Sequence, residues 1–441
     1  PPASSQRSLW YHRDFRWLWG GDTASQFCAA LGVLAIPYLA VTTLNATKFE
    51  MGLLGTLTTI GFLVIGLPSG ALIDRWNKRS VMILADFSRA VLLITIPLAW
   101  WLNWLTFIQL AAVATVVGML QVFFDVAYQS YLPTLVKRDQ VVEGNAKLQA
   151  SQSVSQSAGP ALAGLIIKVV GAAAAVGVNA VGYFISALCL LRIKHREEPH
   201  DRADRKPIVS EIREGLSFVV RHPLLSRMLA CTAILNFFSE LTWVLLIYYQ
   251  VNVLHFSAVT IGLVNAVGAA GGLVGALVAT RISKAIGEGP SILLGATIAC
   301  LAFVCIPLSA YVAPVATFLI GMPITMAGVV AYNIATVSFR QRLCPPKLLG
   351  RMNASCRFIV WGTMPLGAFA GGWLGSQIGT LPTLWVGFAG GFLGLLPIYF
   401  SNLWKLRTLS VDDEEPAAPE PTASRTGPDG ADQPISAAET D

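Results

Sequence analysis

Apolar residues along the chain gather into long blocks, separated by short polar stretches. Each block is about as long as a helix needs to cross a ~30 Å hydrocarbon core, roughly 20 residues at ~1.5 Å each. Twelve such runs are read, near 15–43, 51–73, 80–102, 104–132, 149–170, 172–192, 224–250, 257–280, 290–311, 313–339, 353–377 and 381–404. Strict alternation of apolar and polar positions is absent, so the pattern predicts helices and not a membrane barrel. The expected fold class is an all-α polytopic membrane protein with twelve transmembrane helices.

Basic residues punctuate these runs unevenly. Arg75, Lys78 and Arg79 follow the second run, Lys137, Arg138 and Lys147 the fourth, Arg281 and Lys284 the eighth, and Arg340, Arg342, Lys347 and Arg351 the tenth. Loops after odd-numbered runs hold only Lys48 and Lys168. The positive-inside rule then predicts a multi-pass membrane protein with both termini cytoplasmic. Composition agrees: 13% of residues are charged and 54% hydrophobic, too few charges and too much apolar surface for a soluble protein. No cleavable signal peptide is expected, since the first apolar run is long and another follows it. The seven cysteines lack metal-ligand spacing and read as small buried residues.

The expected organisation is a cytoplasmic N-terminus (1–14), a six-helix half (15–193), a cytoplasmic linker (194–223), a second six-helix half (224–405) and a disordered acidic cytoplasmic tail (406–441). Within the linker, Ile208, Ile212, Leu216 and Val219 share one face, as in an amphipathic helix on a membrane surface. The halves are related in sequence. Gly70–Arg79 reads GALIDRWNKR and Gly275–Lys284 reads GALVATRISK, while Asn145-Ala146, Gly159 and Gly164 recur 208 residues later as Asn353-Ala354, Gly367 and Gly372. Paired six-helix repeats with a site between them are a transporter architecture.

GALIDRWNKR fills every specified position of G-x-x-x-D-R-x-x-R/K-R/K and resembles the signature of the major facilitator superfamily. DVAYQSYLPTLVKRDQVVEGNAKLQASQSVSQSAGPALAG and EIREGLSFVVRHPLL are similar to the bacterial macrolide-efflux and enterobactin-exporter-like branch. The resemblance implies a secondary transporter that exports a small amphipathic compound by alternating access, driven by proton antiport. It further implies a latch at Gly70, Asp74, Arg75, Lys78 and Arg79, with Asp74 accepting from the first amides of span eleven, near Asn353 to Arg357. Drug antiporters of the family often carry an Arg in span four; here span four has none.

Ionisable residues inside spans are costly and mark candidate sites. Asp86 and Arg89 are three apart and are expected to pair. Glu240 with Asn236 and Trp243, Asp125 with Gln121 and Tyr128, and Asp22 with Gln26 form polar stripes on spans seven, four and one. The resemblance places those spans around a central cavity together with span ten, which offers Tyr332 and Asn333. Glu240, Asp22 and Asp125 are the proton-coupling candidates; for Asp125 the resemblance implies an alternative role, pairing with Lys78. The remaining polar stripe residues are substrate-binding candidates, and for Glu240 attraction of a cationic substrate is the rival role. No nucleotide-binding loop, catalytic constellation or metal-ligand spacing is present in the sequence, so neither an enzyme nor a cofactor is expected. The expected partners are a small-molecule substrate, protons and the bilayer, with no nucleic acid, and the protein is expected to be monomeric. The alternatives are an importer, symporter or facilitator, or a non-transporting receptor or lipid-handling protein of the same fold.

Overall fold

The computed structural model describes residues 9–73, 76–137, 140–195, 216–344 and 349–401. The linker between 196 and 215 and the tail from 402 onward, including most of the predicted amphipathic helix, lie outside the described residues, as do Asp74 and Arg75. After a short 3-10 turn, Leu9–Tyr11, the helices are α1 (Arg13–Thr42), α2 (Lys48–Val64), α3 (Gly66–Ile73), α4 (Lys78–Trp101), α5 (Phe107–Leu135), α6 (Val141–Val170) and α7 (Ala172–Arg192). The second half holds α8 (Pro223–Asn252), α9 (Ala258–Ile286), α10 (Glu288–Ala302), α11 (Cys305–Leu308), α12 (Pro314–Leu343), α13 (Leu349–Ile378) and α14 (Thr380–Tyr399).

Among the described residues each predicted run overlaps helix, and ten stretches are long and apolar enough to span a bilayer. The other two predicted spans depart from that standard for different reasons. The second is broken at Ile65 into α2 and α3, because Pro68 has no N–H for the Val64 carbonyl and its ring crowds that position. Pro307 similarly accompanies the break between α10 and α11. The eleventh, α13, is 30 residues long, but its glycines and tryptophans dilute its hydropathy.

The internal repeat is written into the turns. His12 and His222 cap α1 and α8 through Nδ1, accepting from Phe15 N–H at 3.1 Å and Leu225 N–H at 3.4 Å. Thr47 and Ser257 cap α2 and α9 in the same manner. The residues two places earlier, Asn45 and His255, both take left-handed backbone, with φ of 51° and 54°. Gly171 and Gly379 both adopt positive φ with extended ψ, a region open to glycine, as they start α7 and α14.

Packing between the halves is symmetric too: α2 lies against α13, and α6 against α9. Close approach is set by glycines. A Cβ on Gly52 would overlap the backbone of Gly372, and one on Gly262 would overlap that of Pro160 and crowd Gly164. At the face carrying turns 43–47 and 253–257, one apolar core runs across both halves, joining Leu39 and Met51 to Tyr249, Phe256 and Ala368. At the opposite face the cores separate. One cluster holds Phe15, Met82 and Tyr131 from the first half, and another Leu225, Met352 and Cys356 from the second.

Candidate functional site

The polar residues that the sequence picks out inside the spans gather in two places, one in each half. In the first half, Arg89 of α4 is 1% exposed and donates to Asp86 Oδ1 one turn earlier and to Gln121 Oε1 on α5. Its guanidinium lies over the rings of Phe124 and Tyr183, 4.6 and 4.3 Å from their centroids, replacing hydration with cation–π contact. Gln121 Nε2 in turn donates to Asp125 Oδ1 at 2.7 Å. Asp22 of α1, also buried, hydrogen-bonds Tyr128 and Gln26. Asp86, Arg89, Gln121 and Asp125 thus form one hydrogen-bonded chain across α4 and α5, with the Asp22 group on α1 and α5 beside it.

The expected Asp86–Arg89 pair is present, and it is more than a local pair. Sequence spacing could find Asp86 from Arg89, three residues apart on one helix. It gave no signal for Gln121 or Tyr183, which reach the same guanidinium from other helices. Span four has no Arg of its own, yet an arginine stands beside it, supplied by α4. Gln121, a substrate-binding candidate by sequence, has both ends of its amide engaged within the protein.

In the second half, a cavity of about 240 Å³ opens between α8, α10, α12, α13 and α14. Its lining includes Asn236, Glu240 and Trp243 from α8 and Tyr332 and Asn333 from α12, so five sequence-predicted residues meet there. Phe303 and Phe388, which the sequence did not single out, complete an aromatic wall, with Trp243 and Phe303 centroids 6.3 Å apart. Among the lining residues none is basic, so Glu240 faces apolar and neutral polar groups. Its helix is held close from behind. A Cβ on Gly367 would come within 3.1 Å of the Glu240 Cβ, and nearer still to the Phe237 carbonyl. Tyr332 is oriented by a 2.6 Å hydrogen bond between its hydroxyl and Thr232 Oγ1, and Asn236 Nδ2 donates to the Val360 carbonyl at 3.3 Å.

Of the latch residues, Asp74 and Arg75 lie outside the described residues, and Gly70 is placed only as backbone within α3. Lys78 is buried at the start of α4. Arg79, expected as part of that latch, is engaged within its own half. Its Nε and Nη2 donate to the Leu190 and Leu191 carbonyls at 3.0 and 2.9 Å, within its own half. The cause is the partial negative charge and unfilled acceptors at the C-terminus of α7. A direct link between the halves near the start of α13 comes instead from Arg357, whose Nη1 donates to Gln129 Oε1 at 3.2 Å.

A family model described as the Major Facilitator Superfamily matches residues 23–362. The chain is 27% identical over 212 residues to YfiS, an uncharacterized MFS-type transporter of Bacillus subtilis (strain 168), across 46% of this chain and 49% of that one. The match thus spans about half the length of that relative. It is 25% identical over 385 residues to the multidrug efflux pump Tap of Mycolicibacterium fortuitum, covering 82% and 91% of the two chains. With the enterobactin exporter EntS of Citrobacter koseri it shares 24% identity over 262 residues, 59% and 62% of the two. Among solved structures, a bacterial homologue of the iron transporter ferroportin in an inward-facing state superposes with a TM-score of 0.72 at 16% identity, over 88% of this chain and 98% of that one. Helical architecture, repeat symmetry and sequence agree: this polytopic membrane protein belongs to the major facilitator superfamily.

Proposed function

We propose that the protein exports a small amphipathic compound, such as an antibiotic, drug or siderophore, by alternating access coupled to proton antiport. The observation that carries this reading is the second-half cavity, where a lone carboxylate, Glu240, faces a largely aromatic and apolar lining. Such a lining suits a compound with a large apolar body and few polar groups. A carboxylate in a low-dielectric cavity can exchange a proton as its access to water changes. The likeness to Tap and EntS supports outward transport.

In this proposal Glu240 couples proton and substrate, with Asp22 and Asp125 as further proton sites in the first half. Asn236, Trp243, Tyr332 and Asn333 contact substrate from the second half, and Gln26, Gln121 and Tyr128 from the first, Gln121 once its bridge between Arg89 and Asp125 opens. Gly70, Asp74, Arg75 and Lys78 act as the gate on the side where α1 and α8 begin, and Arg79 steadies it through α7. That side is the cytoplasm, and the membrane is the bacterial inner membrane. The protein works as a monomer.

The test is a panel of amphipathic compounds in sealed vesicles carrying an imposed pH gradient. Substrate-dependent proton movement opposite to substrate flux is the expected result. Movement of both in the same direction would make the protein a symporter, and flux indifferent to the gradient would make it a facilitator. Absence of any flux across the panel would favour a receptor or lipid-handling role.

A further inference from the structure

Helices α9 and α10 both pack extensively on α12 but barely on each other. The reason lies in their contacts with α12. Gly271 and Gly275 bring α9 onto the backbone of Pro323 and Ala327, and Gly295 brings α10 onto that of Tyr332. Drawn down onto one helix, the two neighbours leave a slot between them of about 290 Å³. Val274 and Val278 form one wall, Leu294 and Ile298 the other, and Ala327 and Ala331 of α12 the floor. The slot faces outward, since Val274 is 55% exposed and Leu294 39%. Both wall helices are membrane-crossing candidates, so hydrocarbon and not water borders the opening.

At one end the chemistry changes. Arg281 stands three residues beyond Val278 and seven beyond Val274, so it continues the outer wall of the slot by one turn. Lys284 follows one turn later. Both are exposed, and the Glu288 carboxylate that opens α10 at the same end is taken by Arg342. The slot therefore ends under two cations whose nearest acid in sequence, Glu288, is already engaged, at the depth where Lys and Arg side chains extend towards lipid headgroups.

The geometry points to a binding site for an anionic glycerophospholipid. One acyl chain lies in the slot between α9 and α10, and its phosphate is held by Arg281 and Lys284. Basic pockets between membrane helices are suited to such headgroups, and the slot adds a chain site that a merely basic surface lacks. The site lies on the outside of the second half, distinct from the Glu240 cavity, and it does not depend on transport direction or on proton coupling.

The test uses the full-length protein purified in detergent, titrated with phosphatidylglycerol or phosphatidylcholine and read by native mass spectrometry for retained lipid. Wild-type protein should retain phosphatidylglycerol in preference. Arg281→Gln and Lys284→Gln should each lower retention about fivefold, the effect of one basic residue at an anionic headgroup. Val274→Trp, which fills the slot from its exposed wall, should lower it as well. Ile108→Trp, equally lipid-facing but on α5, should not. Leu294→Trp, on the opposite wall, serves if Val274→Trp fails to give monodisperse protein. Equal retention of the two lipids would overturn the headgroup assignment. Loss in the charge variants without loss on filling the slot would reduce the site to surface attraction and overturn the proposal. So would an equal effect of Ile108→Trp.

Discussion

Gly52 of α2 and Gly372 of α13 meet backbone to backbone across the boundary between the halves, each occupying the space where the other's Cβ would stand. The symmetry-related contact joins Gly262 of α9 to Pro160 and Gly164 of α6. Since the obstruction is backbone and not a movable side chain, a larger residue must part the helices. Gly52→Leu and Gly372→Leu should each destabilise the protein by about 1–3 kcal/mol, the usual cost of overpacking. Transport should fall with it, because the halves can no longer close at this face. Thermal unfolding together with vesicle flux checks both; wild-type values in either variant would contradict the contact.

The carboxylate of Glu240 has no basic residue among its cavity neighbours. Glu240→Gln keeps the shape and hydrogen-bonding capacity while removing the exchangeable proton. Gradient-driven transport should be lost, whereas binding or counterflow exchange of the same compound should persist. If binding of cationic compounds is lost and neutral ones still respond to the gradient, Glu240 is a substrate contact and not the coupling group.

Arg89 is the common partner of Asp86 and Gln121, buried beneath two aromatic rings. Removing it alone leaves Asp86 as an uncompensated buried charge, so Arg89→Met should cost roughly 3–5 kcal/mol. The double variant Asp86→Leu/Arg89→Met should recover most of that loss. A double-mutant cycle in denaturant or thermal unfolding measures the coupling. Additive losses would mean that the pair does not interact.

Gly171 and Gly379 begin the last helix of each half at φ of 84° and 94°, a backbone region hostile to side chains. Gly171→Ala and Gly379→Ala should each destabilise by about 1–3 kcal/mol. Being far apart in the two halves, the two losses should add within the accuracy of thermal unfolding. A neutral effect at either position would show that the turn does not hold this conformation.

Size selectivity should respond to the aromatic wall. Trp243→Ala removes a large part of the lining beside Phe303. Bulkier amphipathic compounds should gain relative to small ones, through a changed KM with proton coupling intact. A uniform fall in the rate for every compound would place Trp243 in helix packing instead.

Much of the protein was legible from its residues in order. Runs of about 20 apolar positions specify helices because lipid offers the backbone no alternative partner. The duplication was visible in Gly164 and Gly372, which the fold places at matching contacts between the halves. The polar stripes around Asp22, Asp125 and Glu240 were visible because an ionisable residue inside an apolar run stands out. Sequence also gathered Asn236, Glu240 and Trp243 correctly, since i, i+4 and i+7 on one helix fix a common face. What it could not supply was any relation running between helices. Arg89 as the partner of Gln121, Phe303 and Phe388 as walls of the cavity, Arg79 turned back onto α7, and the slot between α9 and α10 all depend on which helices are neighbours. Periodicity fixes only the face that a side chain occupies; its partner is decided by the packing of the other helices around it.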